Sequence, residues 1–397
     1  MKSGEANVVS GSTAAVLTPS GRGAVAVISV QGDVATSAID KCFRAASVRP
    51  VQELSVGRVC FGHWIGADAG SSAEDVVVIR RAAKTVEVSC HGGTAAVERI
   101  LSDLRELGVG DVSWQDQLAG TGTDLEAELQ ELLSRTATRR AALKLLELQG
   151  TQPAGIRQLM TSAEAILSEP AQNVDDAKAR LLAELDASFK WTSLGLHLTE
   201  PWSIVLAGRP NVGKSTLMNV LTGFDRAIVY DEPGTTRDVV SSDTALDGWP
   251  VRLLDTAGIR DATGEIERQG VLRSRQAMEK ADCICLLLDA SSPLTDDDEQ
   301  LMREVAASGT PSILVASKSD LISAWDTTRV NALPVSATTE SGIDGLIEAL
   351  VIALVPEVPP VAAVFPVSNR QVTCLTAART AAEQGDYSAV LTRLRQM

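Results

Sequence analysis

The sequence predicts a multidomain chain: a P-loop α/β domain with a doubly wound, mainly parallel sheet, inserted in an α-helical domain and preceded by a small α+β domain. Three observations carry this. Between Trp202 and about Val355, short apolar runs alternate with helical patterns. Residues 125–191 and 367–397 place apolar residues at helical spacing, whereas residues 1–112 alternate β-branched runs with Pro- and Gly-bearing turns. The expected boundaries are 1–112, 113–200, 201–356 and 357–397, the last a shortened second part of the helical domain.

In chain order, residues 13–30 read as strand, turn and strand, with TPSGRG supplying the reversal. Asp75 to Arg81 and Thr85 to Cys90 form a second hairpin pattern, and HGG at 91–93 precedes a helix from Thr94 to Leu107 that Gly108 stops. Residues 108–122, rich in Gly and Asp, read as a linker. Helical stretches follow at Leu125 to Leu148, Pro153 to Leu167 and Val174 to Trp191, and Arg135, Arg139, Arg140 and Lys144 on the first read as a solvated face. The α/β region offers strands at 202–208, 251–258, 283–291, 311–317 and 332–337. The Pro-rich stretch 355–366 leads out of it, and the tail is expected to return to helices 125–191.

A chain of 397 residues is long enough for two or three cores. Its net charge of −15 argues against a broad phosphate-binding surface, so any RNA contact is local or assisted by a partner. Membrane binding by charge is equally disfavoured. The opening MKSGEANVVSGSTAAVL lacks a signal-peptide pattern and no apolar run reaches spanning length, which gives a cytoplasmic expectation. Six cysteines without C-x-x-C spacing indicate neither a zinc site nor a disulfide framework, and Cys283 and Cys285 in CICLLLD read as core packing.

The stretch GRPNVGKST, Gly208 to Thr216, follows an apolar strand and opens a helical segment. In the spacing G-x-x-x-x-G-K-S, glycines let backbone N–H groups from Asn211, Val212 and Gly213 onward curl around a phosphate at a helix N-terminus. Lys214 then neutralises the outer phosphates, and Ser215 offers its hydroxyl to Mg2+. DTAG, Asp255 to Gly258, sets an aspartate toward that metal and a glycine toward the γ-phosphate. In GTTRD at 234–238, Thr236 completes the metal shell only when the triphosphate is present, which makes a switch. SKSD, with Ser317, Lys318 and Asp320, ends a strand. Asp320 can accept from guanine's ring N–H and exocyclic amine, a donor pair that adenine lacks. Ser336 and Ala337 in SAT offer backbone N–H groups to the guanine oxygen. Position 317 is Ser where Asn or Thr is usual, and Ile259 follows DTAG where a water-orienting glutamine often stands.

GRPNVGKS, AIVYDEPGTTRD and DTAGIRDATGEIERQGVLRS closely resemble the bacterial MnmE (TrmE) family of tRNA modification GTPases, and TPSGRG, CHGG at 90–93 and SNRQ at 368–371 resemble its flanking domains. The resemblance implies GTP hydrolysis in tRNA wobble-uridine modification, a homodimer, an MnmG-like flavoprotein partner, tRNA reached through that partner, and a folate-derivative site in the N-terminal domain. It further implies a K+ ion held by Asn211, Tyr230, Glu232 and Thr235, and assigns Glu267 to orient the attacking water. Three positions depart from the family pattern. Its tail cysteine has no counterpart in LTRLRQM, Ser29 stands for an arginine, and GVGDVSWQDQLAGTGTDL lacks an expected lysine. Of the folate-facing positions Glu87 remains. The alternative is a regulatory or ribosome-assembly GTPase that has lost the modification chemistry.

Overall fold

The computed structural model describes residues 11–19, 23–46, 50–66, 73–119, 124–168, 173–224, 240–255, 276–361 and 363–397. They form two compact units, 1–127 and 128–397.

The first unit is built on a seven-stranded sheet of β1 (Thr13–Val16), β2 (Val25–Gln31), β3 (Phe43–Ala45), β4 (Val59–Trp64), β5 (Glu74–Ala82), β6 (Thr85–His91) and β7 (Gly110–Asp111), in the order β3-β4-β5-β6-β2-β1-β7. Alternate residues point inward along each strand, as in Val76, Val78, Val86 and Val88, onto helices α1 (Ala35–Cys42) and α2 (Thr94–Glu106). Both expected hairpins form. The stretch read as a linker does more than connect. It supplies β7, parallel to β1, and α3 (Trp114–Ala119), whose Gln117 Nε2 donates to Thr13 O at 3.1 Å and Ser29 O at 3.2 Å.

In the second unit, β8 (Trp202–Ala207), β9 (Val240–Leu246), β10 (Trp249–Asp255), β11 (Cys283–Asp289), β12 (Ser312–Ser317) and β13 (Leu333–Val335) pair in the order β13-β12-β11-β8-β10-β9. All are parallel except the edge strand β9, which pairs antiparallel with β10. Residues 283–288 of β11 are buried without alternation, the pattern of a parallel strand covered on both faces, and Cys283 and Cys285 do lie in that core.

The helices of this unit include α4 (Asp124–Ser134, which begins in the first), α5 (Arg139–Ser168), α6 (Val174–Phe189), α7 (Thr192–Leu196), α8 (Lys214–Phe224), α9 (Asp296–Ser308), α10 (Ile343–Leu354), α11 (Asn369–Gln384) and α12 (Tyr387–Arg395). The expected helix 125–148 is broken at residues 135–138, where Thr138 Oγ1 accepts from Ala141 N at 3.3 Å and caps α5. The expected start at Pro153 is instead the middle of α5. Proline removes one backbone donor there, yet tertiary contacts hold both neighbouring turns. Gln152 Nε2 donates to Phe365 O and Gln371 Oε1, both at 3.0 Å, and Gly155 lies so close to Val364 that a Cβ would sit 2.2 Å from it. The chain after β13 therefore returns to α5 and α6, with Lys178 Nζ donating to Glu383 O at 2.6 Å.

The basic residues of α5 are not all solvated. Lys144 is buried and donates to Glu147 Oε1 at 2.9 Å and Pro359 O at 3.0 Å. Arg140 pairs with Asp247 in the β9–β10 turn and lies 4.6 Å over the Trp249 ring.

Candidate nucleotide site

Because β8, β10, β11, β12 and β13 run the same way, their carboxyl ends share one edge of the sheet, which brings Gly208, Asp255, Asp289, Ser317 and Ser336 together. This is the edge at which doubly wound sheets bind ligands. Gly208 has φ +143°, and a Cβ there would lie 2.5 Å from Leu287 O, so only glycine lets the loop leave β8. Asn211 at φ +62° and Gly213 at φ +99° turn the chain into α8, which begins at Lys214.

Lys214 is 5% exposed and its Nζ donates to Gly208 O at 2.9 Å and Arg209 O at 2.7 Å, which holds the ammonium across the loop. Ser215 Oγ donates to Asp255 Oδ2 at 2.6 Å. A hydroxyl and a buried carboxylate side by side are hard oxygen donors suited to Mg2+. Val212 is buried, and Thr216 faces the cleft that continues toward SKSD.

Val212, Gly213, Thr216, Leu217, Leu287, Ser317, Lys318, Asp320, Leu321, Val335 and Ala337 line that cleft. Asp320 is exposed in it. Ser317 is buried and its hydroxyl donates to Leu288 O at 3.1 Å. Lys318, at φ +59°, sends Nζ to Asp289 Oδ2 at 2.6 Å. Burial pushes the Asp289 carboxyl up, but Lys318 and the Ser291 hydroxyl and N–H outweigh it and hold it below the usual carboxylate range. The SAT loop is rigid in its hydrogen bonding. Ser336 N donates to Ser341 O at 2.9 Å, Ser336 Oγ accepts from Thr339 N at 3.2 Å, and Gly342 at φ +78° packs where a Cβ would lie 2.2 Å from Pro334 O.

Asp289 and Asp298 are site residues that motif reading missed. Asp298, 1% exposed, accepts from Thr295 in the capping box of α9 and also from Arg209 Nε at 2.8 Å, anchoring the start of the phosphate loop. A capping signal, Thr295 with Asp298 three residues on, was readable in TDDD; its link to Arg209 was not. Tyr230, Glu232, Thr235, Thr236, Gly258 and Glu267 lie outside the described residues, so Asn211 alone of the K+ group and Ser215 and Asp255 of the Mg2+ group are placed.

In the first unit Ser29 and Glu87 are cross-strand neighbours on β2 and β6. Ser29 is 3% exposed, and Glu87 Oε2 accepts from Arg81 Nε at 2.7 Å, a partner that the sequence pattern did not reveal.

The strand order, the phosphate loop after β8, the aspartate ending β10 and the base loop after β12 define a P-loop GTPase. Residues 203–318 match the model of the 50S ribosome-binding GTPase family. The chain is 35% identical to the tRNA modification GTPase MnmE of Geobacillus thermodenitrificans, over 85% of this chain and 80% of that protein, and 32% identical to MnmE of Bacillus subtilis over 85% and 81%. It belongs to the MnmE family of tRNA modification GTPases. Among solved structures, Era of Aquifex aeolicus bound to GDP and an aluminium fluoride is 24% identical, covering 45% of this chain and 66% of Era with a TM-score of 0.32.

Proposed function

We propose that this chain binds GTP with Mg2+, hydrolyses it with the help of K+, and couples that hydrolysis to modification of the tRNA wobble uridine. The observation that carries the reading is the shared sheet edge on which Lys214, the Ser215–Asp255 pair and the Asp320 loop stand in order from phosphate to base. Backbone N–H groups of residues 211–216 receive the phosphates, and Lys214 offsets their charge. Asp320 accepts from the guanine ring N–H and amine, while Ser336 and Ala337 face the guanine oxygen. Ser215, Asp255 and Thr236 would hold Mg2+, which when bound neutralises charge on the β- and γ-phosphates. Asn211, Tyr230, Glu232 and Thr235 would hold K+, and Glu267 orients the attacking water through its carboxylate.

The same reading makes residues 201–356 a domain inserted between helical segments 113–200 and 357–397. It makes the chain a cytoplasmic homodimer acting with an MnmG-like flavoprotein and reaching tRNA through that partner. Among the described residues no helix is long and apolar enough to cross a membrane. A strain lacking the gene should lose the modified wobble uridine from total tRNA, and an unchanged nucleoside profile would overturn the assignment.

One observation favours a regulatory or ribosome-assembly role instead. Ser29 replaces the arginine of the folate pattern and Glu87 is engaged by Arg81, so the N-terminal unit offers a folate less charge than the family pattern does. That second reading is supported if the strain keeps its tRNA modifications but accumulates ribosomal precursors.

A further inference from the structure

Ser317 stands where the larger Asn or Thr is usual, and its hydroxyl is already used inside the sheet, on Leu288 O at 3.1 Å. The base loop must therefore be held by something else. Asp289, which ends β11 beside Ser317, has two carboxylate oxygens with different work. Oδ1 accepts from Ser291 N at 2.9 Å and Ser291 Oγ at 2.6 Å, an Asx turn that asparagine would make equally well. Oδ2 accepts from Lys318 Nζ at 2.6 Å, a contact that only a carboxylate supports as an ion pair. The Asp289 side chain is 13% exposed and the Lys318 side chain 36%, so the carboxylate is shielded while the ammonium stem lies along the open cleft.

Lys318 needs that hold. It lies in the left-handed region at φ +59°, with two residues between it and Leu321, whose N–H donates back to Lys318 O at 3.0 Å. Left alone, its four-carbon stem has several rotamers, and fixing them at the moment of binding costs affinity. Asp289 fixes them beforehand. Its own carbonyl also accepts from Trp325 Nε1 at 2.9 Å, so one residue ties both ends of the loop that carries Asp320.

We propose that Asp289 is a positioning residue for guanine recognition: it presets Lys318 along the nucleotide cleft and supplies the tethering of the base loop that Ser317 is too short to give. This rests on the reading of the cleft as a guanine nucleotide site.

The test compares fluorescent GDP binding and GTP turnover in wild type, Asp289→Asn, Lys318→Met and the double variant, with Ser317→Asn added to Asp289→Asn. Wild type failing to bind GDP would sink the site reading itself. With wild-type binding established, Asp289→Asn is expected to raise Kd and KM about tenfold, corresponding to ~1.4 kcal/mol, while kcat at saturating GTP stays within about twofold. It should add little on the Lys318→Met background, since both remove one interaction. Ser317→Asn should recover part of the lost affinity, a rescue that a purely structural role for Asp289 would not give. Unchanged GDP affinity in Asp289→Asn, fully multiplicative losses in the double variant, or no rescue by Ser317→Asn would each overturn the proposal. If melting curves show that Asp289→Asn does not fold, Asp289→Ser keeps a hydroxyl for the turn, removes the ion pair and answers the same questions.

Discussion

The hydroxyl of Ser215, on the first turn of α8, donates to the carboxylate of Asp255, at the end of β10, across 2.6 Å. Forty residues apart in sequence, they meet because β8 and β10 are parallel neighbours, in register from Trp202↔Val251 to Leu206↔Asp255. On the proposed reading these two hard oxygen donors would hold Mg2+. Ser215→Ala should lower GTP turnover by on the order of 10²-fold and raise the Mg2+ concentration needed for half-maximal rate. A Mg2+ titration of steady-state turnover checks both, and an unchanged titration would remove Ser215 from the metal site.

On the proposed reading, base selectivity rests on Asp320. Replacing it with asparagine turns an acceptor pair into one acceptor and one donor, which suits a ring carbonyl where guanine has an amine. Asp320→Asn is expected to bind XTP more tightly than GTP, as measured by competition against a fluorescent nucleotide. Equal displacement of the probe by ATP and GTP in the unmodified protein would contradict guanine selectivity at its root.

Hydrolysis should run faster in K+ than in Na+, since the smaller ion fits a potassium cage poorly, and Glu267→Ala should slow turnover by on the order of 10²-fold while leaving GDP binding intact. Cation-independent rates would remove the K+ site. A Glu267→Ala enzyme at full speed would remove the water-orienting role.

The described part of the candidate site was legible in the sequence because its motifs are local. GRPNVGKST, SKSD and SAT each carry their own turn chemistry, and parallel pairing brings their strand ends beside Asp255 at the end of β10. Asp289 and Asp298 could not be read as site residues. Each acts on a residue 29 or 89 positions away, through a register that exists only in the folded sheet and its flanking helix. The helical layer misled for a related reason. Pro153 ends a helix by its own preference, and is overruled here by Gln152 and Gly155 packing onto the returning segment 363–371. In the first unit, β4 gives a weak strand signal because VCFGHW carries a glycine at its centre; Gly62 lies where a Cβ would meet Arg44 O at 2.2 Å, so the glycine serves the close approach of β3.

The thiols give a prediction independent of nucleotide. Burial pushes Cys42 and Cys90 up to about 11 and Cys283 up to about 12, and raises Cys285 as well, whereas Cys374 is partly exposed. At pH 8 a thiol-alkylating reagent should modify Cys374 and spare those four until the chain is unfolded. Because the folded thiols hold protons that the unfolded chain releases near 9.0, their contribution to stability is intact below pH 9 and is lost as pH rises toward 11. Mass spectrometry of alkylated peptides and melting curves from pH 8 to 11 check both parts.

For the N-terminal unit, the loss of two cationic groups relative to the family pattern predicts weak folate binding with dimerisation retained, because the sheet and its core of Ile28, Trp64 and Ile100 do not depend on those charges. Each missing charge-assisted contact, worth about 1.5 to 3 kcal/mol, weakens binding by one or more decades. Calorimetric titration with 5-formyl-tetrahydrofolate beside a solution mass measurement decides this. Micromolar binding would mean that Arg81 or other side chains have taken over the role.

The central claim is that this sheet edge binds and hydrolyses a guanine triphosphate. Phosphate release measured with equal GTP and ATP, in K+ buffer with and without Mg2+, tests it most directly. The account predicts turnover of GTP that stops when Mg2+ is chelated, and no appreciable turnover of ATP; comparable rates with both nucleotides, or GTP hydrolysis indifferent to Mg2+, would contradict it.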